Sequence, residues 1–276
     1  MGVLVDNATP AQKIAGVLSM ILSTIATIVG FYWGSQANPV EFPSSGWLDG
    51  MTLDKNLHWK CTLHACLMIF AMCFAYTQAL TSYRVYHFFG HNVAKAIHGL
   101  WHVTTAGVML AALILIVQFH NQVQLGHLSS FHSWLGVLVV CIYSQNWILG
   151  MLSFAFPNIM SAEFKAKYMP SHRFLGIMGF FVATCCMMTG IMQKSWLAGA
   201  GCMYPFENYA DEKYNPAIGY ADIKKGCQMG YGVGMLIILN AICAMYALWD
   251  FSYAKNADDN GKGGVRTIQV ESNEKL

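Results

Sequence analysis

Ten histidines punctuate this chain of 276 residues, and four of them, His64, His98, His132 and His172, recur at intervals of 34, 34 and 40. An imidazole can ligate a metal, relay a proton or hydrogen-bond within a packed core, and each use asks for different neighbours. A single histidine in an apolar segment is most often a packing residue. Four at corresponding depths ask instead for a shared partner. Two more stand close enough to compete. His102 lies one helical turn beyond His98 on the same face, and His58 shortly precedes His64.

What positions these side chains is a membrane bundle. The chain is 55% hydrophobic and 11% charged, against about 25% charged in soluble domains. That leaves too little polar side chain to cover a water-facing surface. The net charge of +2 and the lack of a long basic run exclude a nucleic-acid partner. Nine cysteines sit mostly inside apolar runs and form no CxxC pair, so they read as small buried thiols.

A bilayer span takes about 20 mostly apolar residues. Six segments qualify: Ile14–Trp33, Trp59–Ser82, Ala96–Phe119, Ser133–Phe154, Phe174–Met192 and Met229–Trp249. Lipid offers no hydrogen-bond partners, so each must be helical. The predicted fold is all-α, an integral membrane bundle of six transmembrane helices. A short tail (1–13) precedes the membrane domain (14–250), and a polar, glycine-bearing tail (251–276) is expected to be disordered. An even count places both termini on one face. With that face inside, ten Lys and Arg lie inside against six outside, which predicts cytosolic termini.

Helix direction sorts the histidines. The second and fourth spans enter the bilayer from the outer face, the third and fifth from the inner. His64 and His132 therefore fall at the outer level, His98 and His172 at the inner, each in the opening turns of its span. Two imidazoles at one level are what a bis-histidine haem requires, and two levels predict two b-type haems held by the central four spans, 59–193. With both axial positions filled by protein, no place remains for oxygen, and the expected work is electron transfer. Spacing alone leaves His102 as an alternative to His98, and His58 as an alternative to His64.

These residues resemble the cytochrome b561 family of di-haem, ascorbate-reducible electron carriers. Tyr83 and Arg84 follow His64 at the spacing at which a tyrosine and a basic residue follow the family's first ligand. The third span carries Lys95-Ala96-Ile97-His98-Gly99-Leu100-Trp101-His102, like the family's K-x-x-H-G-L-x-H. Ser130-Phe131-His132-Ser133-Trp134 and the run Tyr168, Pro170, His172 match its S-x-H-S-W and Y-x-P-x-H. The resemblance favours His64 and His98 over their competitors. Departures are Ala65, Gln78, His91, Lys165 and Gln193, where the family has proline, glutamate, a basic residue, arginine and an acid.

The resemblance implies electron transfer from cytosolic ascorbate, through two haems b, to monodehydroascorbate or a ferric chelate on the other side. Ferric-chelate reduction as the main role is one alternative. A haem-free histidine relay for protons or metal is a more distant one, disfavoured by spans that read as free of proline. The pattern His98-x-x-x-His102 also has the form used by membrane di-iron oxygenases, but such sites gather many histidines on one face. Arg84, Lys95, Lys165, Lys167 and His91 are the candidates for binding the ascorbate anion at the inner face. On the outer face the uncharged loop Gln118–Ser130 offers His120 and His127; the resemblance places His120 beside the outer substrate. Cys202 and Cys227 could pair as a disulfide in an oxidising lumen. The resemblance further implies a homodimer in the lipid bilayer of the plasma membrane or of endolysosomal or secretory vesicles.

Overall fold

The computed structural model describes residues 5–6, 8–35, 58–156, 158–197, 220–249 and 253–254. Among these the chain is all-helical apart from one short antiparallel bridge. The helices are α1 (Pro10–Ser35), α2 (His58–Met68), α3 (Tyr76–Val85), α4 (His91–Gln122), α5 (Phe131–Gly150), α6 (Ala162–Leu197) and α7 (Tyr220–Leu248). A π-helical segment, Ile69–Ala75, joins α2 to α3 into one continuous span, and a second, Met151–Ala155, extends α5. Six helices long and apolar enough to cross a bilayer result.

The spans outrun the apolar segments that predict them. The third is His91–Gln122 and the fifth is Ala162–Lys194, because polar side chains at a span's end can reach water while the backbone stays helical. The expectation that no span contains proline fails at Pro170, which lies inside α6. Proline cannot donate to the carbonyl one turn back, a loss that is tolerable near the interface, where water can replace it. His172 is therefore well inside its helix and not in the opening turn.

The first and last described segments meet. Val5–Asp6 pairs antiparallel with Tyr253–Ala254, and the Gln12 amide nitrogen donates to the Trp249 carbonyl at 2.6 Å. These described segments thus lie at the same end of the bundle. The pairing also gives order to Tyr253–Ala254 in a tail expected to be disordered throughout. The rest of that tail lies outside the described residues.

α1 packs along α7 and the α2–α3 span, α4 lies against α2 and α3, and α5 pairs with α6. Packing within a bilayer has little hydrophobic drive between helices and relies on close approach at small residues. Gly30 and Gly34 supply it on α1, since Cβ atoms there would stand 3.0 Å from Ile69 Cδ1 and 2.5 Å from Cys66 Sγ. On α4, Leu100, Val103, Leu110, Ile114 and Val117 are exposed at helical spacing and form the lipid face. α4 and α5 are consecutive, yet their backbones stay apart. The space between the α2–α4 and α5–α6 pairs is where the four histidines point.

Candidate functional site

Two imidazole pairs face one another across that space. His64 of α2 and His132 of α5 have ring centroids 6.5 Å apart, and His98 of α4 and His172 of α6 are 6.4 Å apart. A metal held between two imidazoles, at about 2.0–2.1 Å from each nitrogen with roughly 1.1 Å more to each ring centre, sets the centroids about 6.3 Å apart. Both pairs have that separation, and their ring planes are crossed at 83° and 72°.

The remaining ring nitrogens are all engaged. Nδ1 of His64 lies 2.9 Å from the Ala112 carbonyl, Nδ1 of His98 2.9 Å from the Ala79 carbonyl, and Nδ1 of His132 2.9 Å from the Cys186 carbonyl. Nδ1 of His172 lies 3.0 Å from Oδ1 of Asn146. Each partner is an oxygen that can only accept, so Nδ1 carries the proton in all four rings. Nε2 is left with its lone pair free to ligate, and the ring's rotation is fixed.

The anchors are reciprocal. α4 supplies His98 at one level and, at the other, the Ala112 carbonyl that holds His64. α5 supplies His132 and the Asn146 amide that holds His172, while α6 supplies His172 and the Cys186 carbonyl that holds His132. The steps from 98 to 112, from 132 to 146 and from 172 to 186 are equal. At ~1.5 Å per residue each rises about 21 Å, the separation of the two levels. In the α2–α3 span the step from His64 to Ala79 is longer by a single position. The π segment lies between them and absorbs that extra residue, so both ends keep the same face.

Glycines make the fit. A Cβ on Gly150 would stand 2.8 Å from Cε1 of His172, and one on Gly190 would stand 2.7 Å from Cε1 of His132. Each glycine lies one turn beyond an anchor, at the floor beneath a ring. His132, Gly136, Asn146 and Gly150 thus recur forty positions later as His172, Gly176, Cys186 and Gly190. Among the described residues no three His, Cys, Asp or Glu side chains gather closely enough for a bare metal ion. Two opposed imidazoles with glycine floors suit haem, whose macrocycle brings the other four nitrogens.

Local sequence explains the positions. Ser130 caps α5, its hydroxyl accepting from the Ser133 amide at 3.2 Å, which sets His132 in the first turn. His102 is engaged by α5: its Nδ1 lies 3.1 Å from the Tyr143 hydroxyl, which donates to the His102 carbonyl at 2.9 Å. Together with Tyr76 and Phe180 these rings fill the bundle between the two levels. The side chain of His58 lies outside the described residues.

The inner-face candidates divide. Tyr83 stands between His98 and His91, with centroids 5.2 and 5.8 Å away. Arg84, only 2% exposed, points the other way and donates from Nε to the Ala247 carbonyl of α7 at 2.8 Å. Lys95 is exposed in the first turns of α4, and Lys165 is half-buried in those of α6. Lys167 pairs with Glu163 at 2.8 Å. On the face expected to be outer, His120 and His127 stack at 5.5 Å, and Nε2 of His127 lies 2.8 Å from Oδ1 of Asn121. Cys202, and the side chain of Cys227, lie outside the described residues.

Several residues here escape a reading of the sequence. Asn146, Gly150 and Gly190 are found from the forty-position offset only when the glycines, and not the histidines alone, are aligned. Lys194, which the sequence presents only as an outer charge, donates to Thr62 Oγ1 at 3.0 Å and lies 5.5 Å over the Trp33 ring.

The family model described as eukaryotic cytochrome b561 matches residues 63–198, which include all four histidines. The chain is similar to transmembrane ascorbate-dependent reductase CYB561 of Sus scrofa, 27% identical over 170 residues, 62% of each chain. It is similar to the protein of the same name in Bos taurus, 30% identical over 131 residues, 48% of this chain and 52% of the relative. It also resembles probable ascorbate-specific transmembrane electron transporter 1 of Oryza sativa subsp. japonica, 28% identical over 141 residues, 51% of this chain and 59% of the relative. The match thus spans about six-tenths or less of these relatives' length.

Proposed function

The chain belongs to the cytochrome b561 family, and from that premise we propose that it carries electrons across a membrane, from ascorbate on the cytosolic face, where the termini lie, to an acceptor on the other. The observation that carries this reading is the pair of opposed imidazole couples, 6.4 and 6.5 Å apart, one at each level. His98 and His172 would hold one haem b, and His64 and His132 a second. Each haem, when bound, supplies a reversible one-electron iron couple. The protein fixes the rotation of each ring through its Nδ1 anchor, leaves each Nε2 free to ligate, and excludes water with the Tyr76, Tyr143 and Phe180 cluster.

At the inner face Lys95 and Lys165 raise the local concentration of the ascorbate anion, with His91 beside them, while Lys167 is offset by Glu163 and Arg84 is turned toward α7. At the outer face His120, stacked on His127, holds or gives the proton that accompanies reduction of an organic radical. The acceptor is monodehydroascorbate or a ferric chelate. The protein works as a multi-pass dimer in the plasma membrane or an endolysosomal or secretory-vesicle membrane.

An absorption spectrum of the purified protein tests this. Two haems per chain whose bands sharpen when ascorbate is added are expected. A colourless protein, or haem that ascorbate leaves oxidised, would overturn the reading.

A further inference from the structure

Three of the four ring anchors are backbone carbonyls, which no substitution can remove. The fourth is a side chain. Asn146 is buried, accepts from His172 Nδ1 on Oδ1 at 3.0 Å, and returns a bond from Nδ2 to the His172 carbonyl at 3.1 Å. The same Oδ1 accepts a second proton, from the Tyr168 hydroxyl at 2.9 Å. At the equivalent place forty positions on, Cys186 reaches His132 closest through its backbone oxygen at 2.9 Å, with the Thr189 hydroxyl at 3.4 Å and its own Sγ at 3.5 Å.

We infer that Asn146 and Tyr168 are positioning residues that set how readily the centre between His98 and His172 is reduced, acting through the His172 ring. A stronger acceptor on Nδ1–H makes an imidazole more basic and favours the oxidised metal; a weaker one favours the reduced metal. Tyr168 draws on the oxygen that His172 uses, and so weakens that acceptor. Its ring stacks on Phe154 at 6.1 Å with planes 12° apart and lies 5.8 Å from Phe164. It is half-buried in the inner turns of α6, one turn from Lys165. Whatever binds there and competes for the Tyr168 hydroxyl returns the full acceptor strength of Asn146 to His172. Anion docking and haem reducibility at this face are thereby linked.

This rests on the haem reading above, and the test separates the two. Full-length protein is titrated with reductant while the two haems are followed by absorption, and the oxidised form is examined by electron paramagnetic resonance. Tyr168→Phe keeps the stacked ring and removes the competing donor. It should shift one haem's equilibrium about tenfold toward the oxidised form, ~59 mV for one electron. Asn146→Asp should shift the same haem further in that direction. Asn146→Leu should shift it the opposite way, and the other haem should stay fixed in all three. Two haems present in the wild type with Tyr168→Phe unmoved, or with both haems moved alike, overturns the inference alone. A wild type without haem overturns the proposed function and this inference together.

Discussion

Ala112 holds the His64 ring at 2.9 Å while standing on the same helix as His98, at the opposite level. One helix is therefore ligand at one level and clamp at the other, and its rotation would misplace both. The α2–α3 span does the same work from His64 to Ala79, a step longer by a single position, with the π segment taking up the difference. Deleting one residue of that segment, such as Phe70, should convert it to regular α-helix with the same step as α4. Haem content should survive. Deleting Met109 from α4 turns everything beyond it by about 100° relative to His98 and should cost the haem between His64 and His132, whose ring anchor at Ala112 is lost. Equal losses from the two deletions, by haem-to-protein absorbance ratio, would refute this account of the π segment.

The glycine floors give a level-specific prediction. Gly190→Ala puts a Cβ 2.7 Å from Cε1 of His132, and Gly150→Ala puts one 2.8 Å from Cε1 of His172. Neither ring can back away without breaking its Nδ1 bond, so the clash is of the overpacking kind, about 1–3 kcal/mol. Gly190→Ala should weaken retention of the outer haem alone and Gly150→Ala that of the inner. Detergent washing followed by haem quantification at each level reads this. Loss of the opposite haem would reverse the assignment.

Double substitutions test the pairing itself. His98→Ala and His172→Ala should each remove about one haem of two, and together remove no more, because both act on one centre. His98→Ala with His132→Ala should remove both. If His98→Ala with His172→Ala emptied the protein while His98→Ala with His132→Ala left one haem, the ligands would be paired across levels.

Much of this was legible because membrane spans advertise themselves by length and hydropathy, and because helix parity turns residue spacing into depth. That suffices for the two levels and for His132 and His172, while His64 over His58 and His98 over His102 came from the family resemblance. Boundaries were less legible: the fifth span reads as Phe174–Met192, but α6 begins at Ala162, because helix at an interface tolerates polar residues and Pro170. Asn146 was hidden for a different reason. An amide in a transmembrane helix has many structural uses, and only its distance to His172 picks out one. Arg84 shows the converse. Its place next to Tyr83 suggests a shared role, yet adjacent helical residues point about 100° apart; Tyr83 faces His98 while Arg84 is enclosed against α7.

Lys95 and Lys167 are separable by charge balance. An anion docked about 7 Å from one ammonium in water gains roughly 0.6 kcal/mol, near threefold in local concentration. Lys95 is exposed at the start of α4, and Lys95→Ala should slow reduction by ascorbate about threefold at low ionic strength. Lys167 already faces Glu163 at 2.8 Å, and both side chains are more than three-quarters exposed, so its net field is small and Lys167→Ala should change little. Raising the salt shortens the range of these fields to about 3 Å at 1 M. The wild type should then slow until it matches the Lys95→Ala variant, while reduction by a neutral dye stays constant. Stopped-flow traces at several ionic strengths provide the measurement. Rates that fall equally for ascorbate and the neutral dye would mean that Lys95 supports the fold and not the anion.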